Sequence, residues 1–223
     1  MSLKRNVYHS FSDSLLRTSK YFTKLSYEIE SESGNKKVLE EVKENNKSYV
    51  IGAIISSVAF LESIISELFW SAAKNPTGIA KGLNKNLRDR MAKIYNNFFD
   101  IYKNLPTLEK YQYALMLNEQ NLFNIGINPF QNAKLVTELR NELIHFEPEM
   151  IDAEKNIQKL ERCLKGKFIQ CPLYSEPPFL FFPHRCLSHG CARWAVISCI
   201  HFVNDFYQKI DVDKKYEEGN ING

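Results

Sequence analysis

The chain has 223 residues, 44% of them apolar, with 29 lysines and arginines against 26 aspartates and glutamates and a formal net charge of +3. That is the composition of an ordinary globular protein, with enough apolar material to fill the core of one large or two small domains. So small a net charge excludes attraction of the whole molecule to polyanions and leaves local clusters as the only basic surfaces to look for.

The opening stretch MSLKRNVYHSFSDS has early basic residues with no apolar run behind them, so no secretory signal is expected and a cytoplasmic location is. Ser12 or Asp13 is the expected N-cap of a first helix in which Leu15, Leu16, Tyr21, Phe22, Leu25 and Ile29 follow a helical repeat. SGNKK ends it, and a second helical segment runs over residues 38–74, with an interruption expected at the weak helix formers NNKS, 45–48. Within it, YVIGAIISSVAFLESIISELFW is apolar enough to suggest a membrane span. Glu62 and Glu67 break that run, and a span needs about 20 largely apolar residues, so the segment is expected to be the buried central helix of a bundle without membrane contact. Its small residues Gly52, Ala53, Ser56, Ser57 and Ala59 let a neighbouring helix approach closely.

After NPTG the pattern predicts a helix over residues 83–102, then another opening at PTLEKYQYALML, with Thr107 as cap and Tyr111, Ala114 and Leu115 turned inward. GINPF precedes a helix over residues 131–146, which must end near Glu147 because Pro148 disfavours helical geometry in the residue before it. DAEKNIQKLERCLK forms a further helix. FIQCPLYSEPPFLFFPHRCLSHG holds four of the eight prolines, so it is irregular, and its aromatics suit packing onto the bundle. Ser188 is the expected N-cap of a last helix over residues 191–210, and DVDKKYEEGNING reads as a frayed tail. With no internal repeat, Gly-rich phosphate loop or alternating strand pattern, the expectation is a single all-α domain over residues 1–210 and a flexible tail over 211–223.

The stretch LRNELIHFEPE raises the question of function. On a helical wheel Leu135, Val136, Leu139, Leu143 and Phe146 fall within about one third of the circle and form a buried stripe. Asn141 and His145 are four apart and share the face roughly opposite that stripe. Arg140 lies on the other flank, about 140° from His145, so only its long side chain brings the guanidinium towards the imidazole. Ile144 points away from the stripe, which is easiest to explain if a second copy of the chain covers this face.

RNELIH resembles the signature of the HEPN superfamily, an arginine and a polar residue followed after three variable positions by a histidine. The context is similar too: an apolar central helix with acidic residues precedes the motif, and a terminal helix follows it. The resemblance covers roughly residues 49–149 and the last helix, leaving the first helix and the Pro-rich segment as additions. It implies an up-and-down helical bundle and a metal-independent endoribonuclease without a cofactor, leaving 2′,3′-cyclic phosphate ends. Arg140 would hold the scissile phosphate, His145 would act as general acid or base, and Asn141 would orient them. It also implies a homodimer, in which a second histidine completes the site, and a role as a toxin or antiviral defence effector with an antitoxin protein as partner. The residue types suit this chemistry, since histidine titrates near neutrality and arginine offers phosphate a permanently charged planar fork. The alternatives are a catalytically silent HEPN module binding a nucleotide or a partner protein, and a plain helical scaffold.

Lys74, Lys81, Lys85, Arg88, Arg90 and Lys93 occur with only Asp89 against them, so this run is a candidate track for an RNA backbone or simply a solvated helix face. Glu62 is the candidate partner that positions Arg140. His184, Cys186, His189 and Cys191 are too tightly spaced for an ordinary structural zinc site, so no metal is expected, and no orienting group makes a thiol nucleophile of Cys186 or Cys191. The five cysteines, an odd number confined to the last third, are expected to be reduced. Trp194 and the FLFF aromatics are expected in the core.

Overall fold

The computed structural model describes residues 9–33, 38–75, 78–145, 159–174 and 180–221. Among them the chain is helical and has no strand, in agreement with the all-α class read from the periodicity. The helices are α1 (Ser12–Ser33), α2 (Glu40–Lys74), α3 (Lys85–Asn97), α4 (Phe99–Asn104), α5 (Thr107–Leu117), α6 (Phe130–Ile144), α7 (Lys159–Leu164) and α8 (His189–Lys209).

The architecture is set by α2, which is apolar on more than one face and is therefore wrapped by its neighbours. Val50, Ile54, Val58, Phe60, Leu61, Ile64, Ile65, Leu68 and Phe69 are all fully buried. α1, α3, α5, α6 and α8 pack around them, and α6 also packs on α8. By length and composition α2 could cross a membrane; its burial in the bundle accounts for the same composition. The interruption expected at residues 45–48 does not occur. Asn46 is fully buried, accepts from Ser26 Oγ at 2.7 Å and donates to Glu30 Oε1 at 3.0 Å. Those bonds offset a helix-propensity deficit of only about half a kcal/mol per residue.

α1 differs from its expected inward face. The buried positions are Ser12, Leu16, Ser19, Thr23 and Ser26, whereas Tyr21 is 60% exposed. The small side chains admit close contact with α2, and their hydroxyls stay satisfied: Ser19 donates to Leu16 O at 2.9 Å and Thr23 to Ser19 O at 2.8 Å. On the α2 side, a Cβ at Gly52 would lie 2.8 Å from the Phe22 ring, so the glycine is what lets the two helices close.

Neither Ser12 nor Asp13 caps α1 in the expected way. The Glu67 carboxylate of α2 does so instead, accepting from Phe11 N at 3.0 Å and Ser12 N at 3.1 Å through one oxygen, and from Ser10 Oγ and Ser12 Oγ at 2.7 and 2.8 Å through the other. Glu30 does the same for α8, accepting from His189 N at 2.8 Å, while Ser188 accepts from Cys191 N as expected. Thr107 opens α5, but its hydroxyl lies 3.4 Å from Glu62 Oε1 rather than capping its own helix.

The helix expected over 83–102 is split at Phe98 into α3 and α4. The irregular segment packs as expected, with Cys171, Leu173, Tyr174, Phe181 and Phe182 buried. α7 is the part of DAEKNIQKLERCLK within the described residues; α6 ends at Ile144, short of the expected end near Glu147, and the burial of Phe146 lies outside the described residues. Residues 211–221 do not fray: Tyr216 and Ile221 are 7% and 3% exposed. Asn204 holds this segment by bonding both Tyr216 O and Tyr216 N at 2.8 Å, and Tyr216 Oη donates to Asp13 at 3.1 Å.

The two capping carboxylates respond to pH with opposite sign. Burial raises the Glu67 pKa, but hydrogen bonds from Ser63, Ser10, Ser12 and Phe11 together hold it below the ordinary 4.5. Its contribution to stability is therefore complete above that value and lost as pH falls through the lowered one. Burial pushes Glu30 above 4.5 despite its hydrogen bonds, so its contribution is complete below that value and lost as pH rises through the raised one. Glu67→Gln is expected to cost about 1 kcal/mol at pH 6, as for loss of a helix cap. In urea unfolding the difference from wild type should shrink between pH 5 and about 3; a difference independent of pH would show that the carboxylate charge is not what caps α1.

Candidate functional site

The stripe Leu135, Val136 and Leu139 is buried as expected, with Leu143 half-buried, and this fixes the orientation of α6 against α2 and α8. Arg140 is consequently turned along the α2 side, where its Nη2 donates to Glu62 Oε1 in an ion pair. The expected partnership of Arg140 with Glu62 is thus what the structure contains. The side chains are 21% and 44% exposed, so water screens the pair and its contribution to stability is on the order of 1 kcal/mol or less. The more consequential effect is positional: a flexible arginine is held in one place, and Thr107 of α5 lies against the same carboxylate oxygen.

Asn141 and His145 occupy the exposed outer face, as the wheel predicts, and Ile144 beside them is 48% exposed. The helix ends at Ile144, with His145 as its C-cap and His145 N donating to Asn141 O at 2.9 Å. Among the described residues no hydrogen bond joins the side chains of Arg140, Asn141 and His145. One chain therefore presents a paired cation on one flank of α6 and an exposed amide and imidazole on the other. The last carbonyls of a helix carry partial negative charge, which opposes an anion, whereas Arg140 on the neighbouring flank carries a positive one.

The basic run is divided by the fold. Lys81 lies in the 3₁₀ turn Ile79–Gly82, Lys85 opens α3, and both are exposed, as is Lys93. Arg88 is half-buried. Arg90 is committed within the fold, 2.7 Å from Glu119 and donating to Leu117 O at 2.7 Å. Lys74 donates to Asn96 at 2.8 Å. α3 meets the C-terminal end of α5 through Arg90, whereas Thr107 at the other end of α5 meets Glu62. The basic turn is thus separated from the Arg140–Glu62 pair by the length of α5, about 15 Å at the α-helical rise.

The sequence reading missed Thr107 and Lys110 as neighbours of Glu62, whose charge raises the Lys110 pKa against a larger lowering by burial. It also missed a cavity of about 530 Å³ whose lining includes Ser66, Trp70, Tyr95, Phe99, Tyr102 and Lys110. A signal was present: Tyr95, Phe99 and Tyr102 recur at helical spacing just after the basic run. Among the described residues no three His, Cys, Asp or Glu side chains converge as a metal site. Cys171, Cys186, Cys191 and Cys199 are buried free thiols, and burial raises the pKa of each, the opposite of what a thiolate nucleophile needs.

No protein-family model matches the chain, and no curated protein or solved structure matches it either.

The Arg140–Glu62 pair makes a quantitative expectation. In a double-mutant cycle with Glu62→Gln and Arg140→Met, the coupling measured by urea unfolding should be on the order of 1 kcal/mol or less. A coupling of several kcal/mol would mean that the pair holds the fold and is not chiefly a positioning device.

Proposed function

We propose that the protein is a HEPN-like, metal-independent endoribonuclease acting as a homodimer, with Arg140, Asn141 and His145 of each subunit contributing to one composite site. The observation that carries this reading is the pairing of Glu62 with Arg140 beside an exposed Asn141 and His145 at the end of α6. A guanidinium has five N–H donors, and Glu62 engages it through Nη2, so the fork retains donors for a phosphate oxygen. The likeness of RNELIH to the HEPN signature supports the same reading and suggests a toxin or defence effector controlled by an antitoxin protein.

In the proposed reaction the ribose 2′-oxygen attacks the adjoining phosphorus and the bond to the 5′-oxygen breaks. The 2′-proton passes to a base, and an acid protonates the leaving oxygen, giving a 2′,3′-cyclic phosphate and a 5′-hydroxyl. His145 supplies one of these proton transfers, and a symmetry-related His145 supplies the other. Arg140 stabilises the charge on the non-bridging oxygens, with Glu62 as its positioning residue, and Asn141 orients Arg140 and His145 in the assembled site. The 48% exposed Ile144 is then part of the subunit contact. Lys81, Lys85, Arg88 and Lys93 provide charge to more distant backbone phosphates.

One observation favours a catalytically silent HEPN module instead: within one chain Glu62 already engages Arg140, and no side-chain bond joins Arg140, Asn141 and His145. Such a module would bind a nucleotide or a partner protein through the same polar face.

Cleavage of a labelled mixed-sequence RNA in EDTA separates the two. Wild type should yield cyclic phosphate ends, and His145→Ala and Arg140→Ala should each slow cleavage at least about 100-fold. Equal cleavage by wild type and His145→Ala would place the activity elsewhere, and no cleavage by pure dimeric wild type would favour the binding module.

A further inference from the structure

The cavity lined by Trp70, Tyr95, Phe99 and Tyr102 lies one helical turn from the Arg140–Glu62 pair on two separate elements. On α2, Ser66 lines it and follows Glu62 by four residues. On α5, Lys110 lines it and follows Thr107, the neighbour of Glu62, by three. Its volume of about 530 Å³ is in the range of small-ligand sites, roughly 300–1,000 Å³.

The walls are aromatic and held in place. Tyr95 and Phe99 meet edge to face at 5.0 Å, and Tyr102 packs on Phe69 at 4.3 Å with its hydroxyl donating to Ile65 O at 3.3 Å. At its edge Phe99 is 41% exposed, and the lining also includes His9 and Glu67. The cations at the mouth are Lys103 and Lys110, whose ammonium lies 5.1 Å from the Tyr102 ring centre and donates to Lys103 O at 3.1 Å. Glu67, which also lines the cavity, accepts from Phe11 N and Ser12 N at the start of α1, and Glu62 pairs with Arg140; among the described residues neither forms an ion pair with Lys103 or Lys110. Rigid aromatic faces beside ammonium groups are the chemistry that single-stranded nucleic acid meets in its binding proteins, with bases stacking on the rings and phosphates on the cations.

We propose that this cavity is a nucleobase subsite, in which the base of the single-stranded RNA nucleotide next to the scissile phosphate stacks on Phe99 and Tyr95 while Lys103 and Lys110 meet the phosphate beyond it. The RNA assignment rests on the ribonuclease reading; the affinity for a nucleotide does not. The subsite excludes duplex RNA, since a paired base cannot enter it, and it makes the residue seated there the source of base preference in cleavage.

The test uses the whole protein and a fluorescent 2′-O-methyl hexanucleotide of mixed sequence, which has no free 2′-hydroxyl at any internal linkage and so binds without being cleaved. Binding is read by anisotropy for wild type, Phe99→Ala, Phe99→Trp, Lys103→Ala and Arg140→Ala, with thermal unfolding as the check on folding. Phe99→Ala should weaken binding roughly five- to 150-fold, Phe99→Trp should restore most of it, and Lys103→Ala should weaken it and flatten its salt dependence. In cleavage, Phe99→Ala should raise KM more than it lowers kcat.

Wild-type binding that none of the cavity variants alters, with RNA still cleaved, would overturn the subsite and leave the ribonuclease reading intact. Cavity-dependent binding by a protein that cleaves no RNA would support the subsite and overturn the ribonuclease. Loss of dimerisation in Phe99→Ala with unchanged oligonucleotide affinity would assign the rim to subunit contact and overturn the subsite.

Discussion

Most of the bundle refers back to a single long helix with two carboxylates on it. α2 is held by burial, since each large apolar side chain taken fully from water contributes roughly 1.5–3 kcal/mol, and nine such residues between Val50 and Phe69 are fully buried. The apolar stripe of each neighbour decides which side it turns to α2, but burial is non-directional and does not say where along α2 the neighbour sits. That position is marked by polar groups on the same helix: Glu67 fixes the start of α1, Glu62 fixes Arg140 of α6 and touches Thr107 of α5, and Leu61 O accepts from Tyr111 of α5 at 2.8 Å. None of these is a large stabilising term by itself.

The candidate site follows from that arrangement. The apolar stripe of α6 turns Arg140 towards α2, and the same rotation places Asn141, Ile144 and His145 on the surface. Where Glu62 anchors the guanidinium, one turn further along α2 the helix begins to line the aromatic cavity. Arg140 and the aromatic cavity are thereby arranged along the C-terminal half of α2, while His145 lies on the outer flank of α6. Lys85 and Arg90 stand apart from the Arg140–Glu62 pair, at the C-terminal end of α5.

What was legible in the sequence was what depends on neighbours along the chain. The α6 stripe, the outward Asn141 and His145, the Ser188 cap and the buried α2 all follow from spacing over a few turns. What was not legible depends on distant partners. The NNKS stretch stays helical because Ser26 and Glu30 satisfy Asn46, and residues 211–221 are held through Asn204 and Asp13. α1 is capped from α2, and Arg90 of the basic run is committed within the fold to Glu119 and Leu117. The candidate site lies between these cases: the motif was visible, nothing in the spacing decided whether Glu62 meets Arg140 or solvent, and the cavity needs α2, α3, α4 and α5 brought together.

The central claim is that the polar end of α6 engages the RNA backbone, and the most direct measurement is the NMR signal of the His145 ring during titration with the uncleavable 2′-O-methyl hexanucleotide. The chain has five histidines, so a His145→Gln protein assigns the resonance. The account predicts that the His145 ring signal moves saturably with oligonucleotide, and that Arg140→Ala greatly reduces the movement. A His145 signal that stays fixed while the oligonucleotide binds elsewhere on the protein would contradict it.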